Sequence, residues 1–382
     1  MKQPPLAVAL VTTCSSKTPN SMGIYTQMLM EVLSAHTDKV KLTRIDLLDL
    51  IPRLPLLSPT LERRFQQLWL TFISPWQLRS YSASADLFHL TDGSTSYVLN
   101  KLDPKKCVVT LHDLIPLLQQ QGHFPIAPPG IFARWLIEQN LRSLKNQKNI
   151  CVVSNCTGKD LQDNIGKTKS LKCITSTIRG EILTLLPNSI PAWKERIEQG
   201  KRLILHIGNG GFYKNQTTVV KVFAELIKNH ALELIMAGGK PNRELKLIIQ
   251  ELELAEKIKF VPHPDDQALA KLYLSASLLL FPSHYEGFGW PPLEAMAFGC
   301  PVVCSNAGSL PEIVGNGALT TFPNDVAGLV SHCRSVLEDT NGTMELIKAG
   351  LENAKRFSPE IMAEKLLELY DSVGQHRRSP VS

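Results

Sequence analysis

The sequence predicts an α/β protein with two parallel sheets, each covered by helices on both faces. Three observations carry that expectation. Short apolar runs alternate with helix-like stretches through most of the chain, as repeated strand–helix units do. The runs fall into two sets of five, one in each half. A chain of 382 residues is also too long for one ordinary core and suits two domains.

In the first half the strands are expected at Ala7–Thr12, Lys41–Asp46, Leu87–Leu90, Val108–His112 and Ile150–Val153. The opening run alternates β-branched and small residues and leads into a turn and a helix, so it reads as a first buried strand rather than a signal peptide. In the second half they are expected at Leu203–Ile207, Leu232–Ala237, Ile258–Val261, Leu278–Phe281 and Pro301–Cys304. Pro187, Asn188 and Pro191 break regular structure between Leu186 and Gln199, just before the strong strand that starts at Leu203. This gives a domain over 1–186, a second over 187–358 and a terminal segment over 359–382. Pro359–Val373 reads as an amphipathic helix with Ile361, Leu366, Leu367 and Tyr370 on or near one stripe, and His376–Ser382 as a polar, frayed tail.

Composition narrows the class. Apolar residues make up 43% and charged residues 20%, which fits a globular protein rather than a disordered one, and no apolar run is long enough to cross a bilayer. Eight cysteines without C-x-x-C or Cys/His spacing form neither a disulfide scaffold nor a zinc site, so a reducing, cytoplasmic setting is expected. Charge is uneven. Residues 1–180 hold 21 Lys and Arg against 12 Asp and Glu, a net +9, whereas the rest holds 20 against 23. The basic half suits an acidic partner such as an anionic membrane surface, a lipid-linked phosphate or nucleic acid; an ordinary solvated surface explains it equally.

The most informative stretch is SHYEGFGWPPLEAMAFGCPVVCS, Ser283 to Ser305. Glu286 and Glu294 stand with seven residues between them, around a Gly287-Phe288-Gly289 turn and the pair Pro291-Pro292. Proline suits the first turn of a helix, so Glu286 is expected in a tight loop and Glu294 in a helix's first turn, beside amides that attract anions. This segment and its flanks resemble the E-x7-E signature of glycosyltransferase family 4, the retaining glycosyl transferases group 1 with the GT-B fold. That resemblance implies two Rossmann-like domains facing across a cleft, the first on the acceptor side and the second binding a nucleotide sugar. It also implies a last helix that crosses back to the first domain.

Ligands of open α/β sheets bind beyond the carboxyl ends of the strands, so the remaining candidates are sought there. Gly23 follows the first strand and the polar loop Ser15–Met22 and opens a helix; the family places a phosphate contact at a matching glycine. His112 ends a strand in an HDLIP context, and the resemblance makes it the residue that touches the transferred sugar, while Asp113 orients loop amides. Lys214 follows the strand ending at Gly208 and would neutralise a diphosphate leaving group. The family commonly has an arginine where this chain has Asn209, so a single cation remains. Glu286 would lie against the donor sugar near the amides of Phe288 and Gly289, and Glu294 would accept from ribose hydroxyls. Pro262, with Val261 and His263, would flank the base; plain turn chemistry explains it as well. Asp265-Asp266 reads as a helix N-cap rather than a metal site, and Ser309 with Glu312 as a capping box. Leu61–Arg79 combines Arg63, Arg64 and Arg79 with Trp69, Phe72 and Trp76. Its apolar stripe is expected to pack on the first domain, although such a segment also suits anionic lipid.

The resemblance implies a retaining transfer from a nucleoside diphosphate sugar, GDP-mannose first and a UDP-sugar second, to a glycan or lipid-linked acceptor in surface polysaccharide synthesis. His112 and Glu286 would act at the reacting carbon. Gly23, Asn209, Lys214, Pro262, Phe288, Gly289 and Glu294 would hold the donor. No metal, cofactor or nucleic acid is implied; peripheral contact with the inner face of the plasma membrane through the basic domain is. The alternatives are a GT-B-fold UDP-sugar epimerase and a binding protein that has lost catalysis, the latter suggested by Asn209. A phosphorylase would carry a pyridoxal lysine, for which the sequence has no clear site.

Overall fold

The computed structural model describes residues 4–15, 21–52, 54, 58–168, 170–186 and 202–375. The breaker residues Pro187, Asn188 and Pro191, most of the loop before Gly23 and the tail from His376 lie outside them. The chain divides into two compact units, Met1–Arg179 with Pro359–Ser382, and Gly180–Ser358.

The first unit holds β1 (Leu6–Thr12), β2 (Val40–Asp46), β3 (Leu87–Leu90), β4 (Cys107–Leu111), β5 (Asn149–Val152) and β6 (Leu171–Cys173). They form one sheet of order β2-β1-β3-β4-β5-β6, with every pairing parallel. Its core packs Val11, Phe88, Leu90, Val109, Ile150 and their neighbours. The central strands are buried throughout, which is why their sequences read as continuous apolar runs.

The second unit holds β7 (Leu203–Gly208), β8 (Glu233–Gly238), β9 (Ile258–Pro262), β10 (Leu278–Phe281), β11 (Val302–Ser305) and β12 (Leu319–Thr321). Their order is β12-β11-β10-β7-β8-β9, again all parallel. The chain winds from β7 outward through β8 and β9, then restarts on the other side at β10. The carboxyl ends of β7 and β10 therefore flank the topological switch point, where the loops diverge and leave a crevice for a ligand.

Two strands were not expected. β6 and β12 are three residues each at sheet edges, with no fully buried residue. The helix Pro359–Gln375 belongs to the first unit. Leu366, Leu367 and Tyr370 are buried as expected, but Ile361 is exposed, and Met362 and Ala363 face inward instead. Tyr370 ties this helix to the first sheet, its hydroxyl lying 2.6 Å from Nδ1 of His89, whose Nε2 is 2.7 Å from Oγ1 of Thr110.

Candidate active site

In the second unit, the chain leaves β7 through Asn209-Gly210-Gly211 and makes a 3₁₀ turn, Phe212–Lys214, before the helix Gln216–Leu226. Asn215 sits between them in the left-handed region (φ 52°), and its Nδ2 donates to the carbonyls of Pro282 and Pro323 at 3.0 and 2.9 Å. The amide of His284 donates to the Tyr213 carbonyl at 2.7 Å. These bonds lock the loop after β7 to the loop after β10.

The lock brings Lys214 and Glu286 together at the switch point. Nζ of Lys214 donates to Oε1 and Oε2 of Glu286 at 2.8 and 3.0 Å, and both residues are buried. The ammonium also lies 4.9 Å from the centre of the Phe281 ring. A cation and a carboxylate held against each other beneath the carboxyl ends of two neighbouring strands form a poised polar centre in an apolar wall.

Backbone contacts fix Glu286. Its carbonyl accepts from the amide and hydroxyl of Ser309 at 3.1 and 3.0 Å, and the same hydroxyl reaches the Phe288 carbonyl at 2.7 Å. Gly308 adopts φ 58°, and a Cβ there would stand 2.6 Å from the Glu286 oxygen and 2.8 Å from its nitrogen. The expected capping box at Ser309 and Glu312 is therefore corrected: Ser309 makes no side-chain cap, because its hydroxyl is taken by the loop that carries Glu286. Replacing Gly308 with alanine should cost about 1–2 kcal/mol for the left-handed backbone. It should also displace the Glu286 carboxylate from the Lys214 ammonium. Denaturant midpoints measure the combined cost; a midpoint lowered by no more than the backbone penalty would show that Gly308 does not set the position of Glu286.

Gly289 (φ 105°) caps the helix Trp290–Ala297, and Pro291 and Pro292 lie in its first turn. Glu294 is consequently in the second turn, not the first, and the helix-start electrostatics expected for it do not apply. It is held by a different partner: Tyr273, from the helix Asp266–Ser275, donates from its hydroxyl to Oε2 at 2.7 Å. Tyr273 is fully buried and stacks on Phe298 at 5.5 Å. With one oxygen so occupied, the carboxylate's orientation is fixed. The Phe288 ring packs on Trp290 and Phe357, so what this residue offers a ligand is backbone.

Asn209 is exposed, with its side-chain amide 3.2–3.3 Å from the Tyr213 hydroxyl. Pro262 is exposed at the end of β9. The registers Gly208–Gly238 and Gly238–Pro262 place it two strands, or about 10 Å, along the same carboxyl edge. A Cβ at Gly238 (φ 116°) would meet the Gly208 oxygen at 2.6 Å, so glycine lets these two strand ends close. Asp265 caps its helix through the Ala268 amide at 2.7 Å, as its spacing predicts. Among the described residues no group of three His, Cys, Asp or Glu side chains could hold a metal ion.

The other two candidates belong to the first unit. The helix carrying Gly23 spans Ser21–Ser34, so Gly23 is buried inside its first turn rather than opening it. Tyr25 of that helix meets the His112 ring edge-on, with centres 4.5 Å apart. His112 follows β4 directly, and its Nε2 is 2.8 Å from the Thr91 carbonyl. A carbonyl only accepts, so this nitrogen carries the proton. Burial outweighs the Thr91 carbonyl and the Asp92 charge and pulls the imidazole pKa below its ordinary value. The ring is thus neutral near pH 7, with Nδ1 left as an acceptor. Asp113 holds the next loop through the Ile115 amide at 3.0 Å, as expected.

Comparison with known proteins gives five findings. Residues 190–355 match the family described as glycosyl transferases group 1. The chain is 30% identical over 309 residues to the O-antigen chain mannosyltransferase B of Escherichia coli, covering 77% of this chain and 76% of that one. It is 29% identical over 242 residues to the O-antigen chain mannosyltransferase RfbU of Salmonella typhimurium, covering 60% and 64%. Among solved structures, sucrose-phosphate synthase from Thermosynechococcus elongatus matches 97% of the chain at 21% identity, over all of its own length, with a TM-score of 0.77. HepE of Anabaena in complex with UDP-glucose matches 96% at 18% identity, also over its full length, with a TM-score of 0.70. These last two likenesses concern the fold.

Proposed function

The chain belongs to the glycosyl transferases group 1, and from that premise we propose that it is a retaining hexosyltransferase using a nucleoside diphosphate sugar. The observation that carries the reading is the Lys214–Glu286 pair at the β7/β10 switch point. Lys214 neutralises the charge that grows on the departing diphosphate. Glu286 faces the sugar, and Glu294, oriented by Tyr273, accepts from the ribose hydroxyls. The amides of Phe288 and Gly289 and the edge at Pro262 complete the donor site, and Asn209 offers one hydrogen-bond donor where the family resemblance implies a second cation. On the first unit, His112 offers a neutral Nδ1 as acceptor for a sugar hydroxyl, and the helix turn at Gly23 suits a phosphate.

The acceptor hydroxyl attacks the anomeric carbon on the face from which the diphosphate leaves. A phosphate oxygen of the leaving group takes the hydroxyl proton, so no enzymic nucleophile is required. Charge neutralisation is assigned to Lys214 rather than to a metal. The donor is GDP-mannose in this reading, supported by the two mannosyltransferase relatives, and a UDP-sugar is the second choice. The acceptor is a glycan or lipid-linked glycan of a surface polysaccharide, met in the cytoplasm.

A thermal-shift series with GDP-, UDP- and ADP-sugars tests the donor. At a hundredfold excess over Kd the right donor stabilises the protein by about 2.7 kcal/mol. Adding acceptor extract should then release nucleoside diphosphate. Rearrangement of the donor without acceptor would reveal an epimerase. Binding without release would mark a protein that has lost catalysis, and no stabilisation by any sugar nucleotide would remove the reading altogether.

A further inference from the structure

We propose that Thr91 and Thr26 are positioning residues for His112, a buried pair of hydroxyls that ties the carbonyl receiving the imidazole proton to the helix Ser21–Ser34. The proposal rests on the reading that His112 serves the transferred sugar, and it names what holds the ring. Thr91 directly follows β3, and its amide extends the pairing with β1 by donating to the Val11 carbonyl at 2.9 Å. Its carbonyl accepts the Nε2 proton of His112 at 2.8 Å, so one backbone oxygen sets the tautomer and orientation of the ring. The Thr91 hydroxyl lies 2.7 Å from that of Thr26 and 3.2 Å from the Val11 carbonyl, and the Thr26 hydroxyl lies 2.9 Å from the Met22 carbonyl. The bond to Met22 alone is the local back-bond of a helical threonine. The contact with Thr91, 65 residues away, is what reaches the partner of the imidazole. Two hydroxyl protons serve these three contacts, so the pair has two arrangements. In one, Thr91 donates to Thr26 and Thr26 to Met22; in the other, Thr26 donates to Thr91 and Thr91 to Val11. Either way a proton lies between the two threonines.

The same helix also touches the ring directly. Tyr25, the residue before Thr26, is fully buried and meets the imidazole edge-on at 4.5 Å. From another helix, Asn155–Ile165, the Thr157 hydroxyl donates to the His112 carbonyl at 3.1 Å. Backbone, Nε2 and one side of the ring are thus each held by a different contact. Nδ1 keeps its lone pair without a partner among the described residues, and His112 remains half-buried rather than sealed. Packing does not ask for the two hydroxyls. Thr26 and Thr91 are both 0% exposed, at positions where valine would fill the same shape. A buried hydroxyl needs hydrogen bonds to offset its lost hydration, and replacing both partners with apolar groups of the same shape is nearly neutral for stability. Two valines would therefore serve the fold as well. What the threonines add is a fixed distance between the helix and the carbonyl that orients His112.

The test applies nitrogen-15 NMR of the histidine rings, urea midpoints and initial rates to the full chain carrying Thr26→Val with Thr91→Val, Thr91→Val alone, or Thr91→Ser. His112→Gln identifies the His112 resonances by their loss. In the unaltered protein His112 should show a protonated Nε2 and a bare Nδ1. In the double valine variant the shifts of the two nitrogens should move toward each other, as the ring samples both tautomers, while the urea midpoint stays close to that of the unaltered protein. The kcat should fall by up to about tenfold, the factor that one such hydrogen bond is worth. KM for the donor should not change, because the contact orients a reacting group and does not bind the nucleotide. Thr91→Ser keeps the hydroxyl and should retain the shifts and the kcat that Thr91→Val loses. Unmoved His112 shifts in the double variant would overturn the proposal. So would a loss of kcat that follows a lowered urea midpoint and is as large in Thr91→Ser as in Thr91→Val, since the threonines would then serve the fold alone. Full activity in His112→Gln would defeat the reading that this ring serves the sugar, whereas the resonance shifts test its positioning alone.

Discussion

Lys214→Met is expected to slow transfer by about 10²–10³-fold, the usual loss when one preorganised group that stabilises developing negative charge is removed. The same change should destabilise the fold by about 3 kcal/mol, because it leaves Glu286 buried without its counter-ion. That figure is the low end for a broken buried pair, since the two side chains keep 11% and 9% of their surface in water. Adding Glu286→Gln separates the two effects. The double variant no longer buries an unpaired charge, so most of the stability should return while transfer stays lost. Glu286→Gln alone has an opposite pair of signs. It frees the Lys214 ammonium from a carboxylate that competes with diphosphate, so nucleoside diphosphate should bind more tightly while transfer slows. Calorimetric titration with the diphosphate and initial rates read both. Diphosphate affinity unchanged by either substitution would mean that Lys214 serves the fold and not the donor.

Much of this was visible in the residues, and the exceptions have physical causes. The central strands of both sheets are enclosed on two faces, so their apolar runs stand out; β6 and β12 are three-residue edges, half in water, and carry no such pattern. The motif segment told where Glu286 would be, because the Gly287-Phe288-Gly289 turn directly after it forces a loop. It misplaced Glu294 by a turn. Two prolines fit anywhere in a first turn whose amides have no intrahelical acceptor, and here that turn starts at Trp290. Ser309 and Glu312 have the spacing of a capping box, but the left-handed Gly308 folds the chain onto Glu286 and redirects the hydroxyl. Partners distant in sequence left no local trace. Tyr273 is 21 residues from Glu294, Lys214 is 72 from Glu286, and Asn215 joins two loops through one amide group. An asparagine directly before a helix reads as an ordinary cap; only its left-handed backbone and its two carbonyl partners reveal a clamp.

Acidification should destabilise the protein before its carboxylates begin to be protonated. His89 and His206 lie inside the two sheets, one in each unit. Burial lowers the His89 pKa to about 3, with the nearby His112 adding to the effect. Burial lowers His206 to about 4, against the Leu280 carbonyl and with help from Lys214. In the unfolded chain both return to the usual histidine value near 6.5. Below that value the unfolded chain takes up a proton that the folded one refuses. The stability due to these rings is therefore complete above about pH 6.5 and is lost progressively as pH falls toward about 3–4. Between about pH 7 and pH 5 each contributes a loss of ~2 kcal/mol, together a large share of a typical folding free energy. The geometry explains why neither ring yields. Nδ1 of His206 donates to the Leu280 carbonyl at 3.0 Å, and its Nε2 has no partner among the described residues, so a second proton would be a buried donor beside the Lys214 ammonium. His89 is closed in by the Tyr370 and Thr110 hydroxyls, neither of them an anion. Urea midpoints across this range measure the loss. His206→Gln and His89→Gln should each flatten it by about half, and hydrogen exchange should localise the effects to β7 and β10, and to β3 and β4. A midpoint independent of pH between these limits would show that the buried rings are protonated in the folded state after all. The Lys214–Glu286 centre would then have to coexist with a second positive charge beneath it.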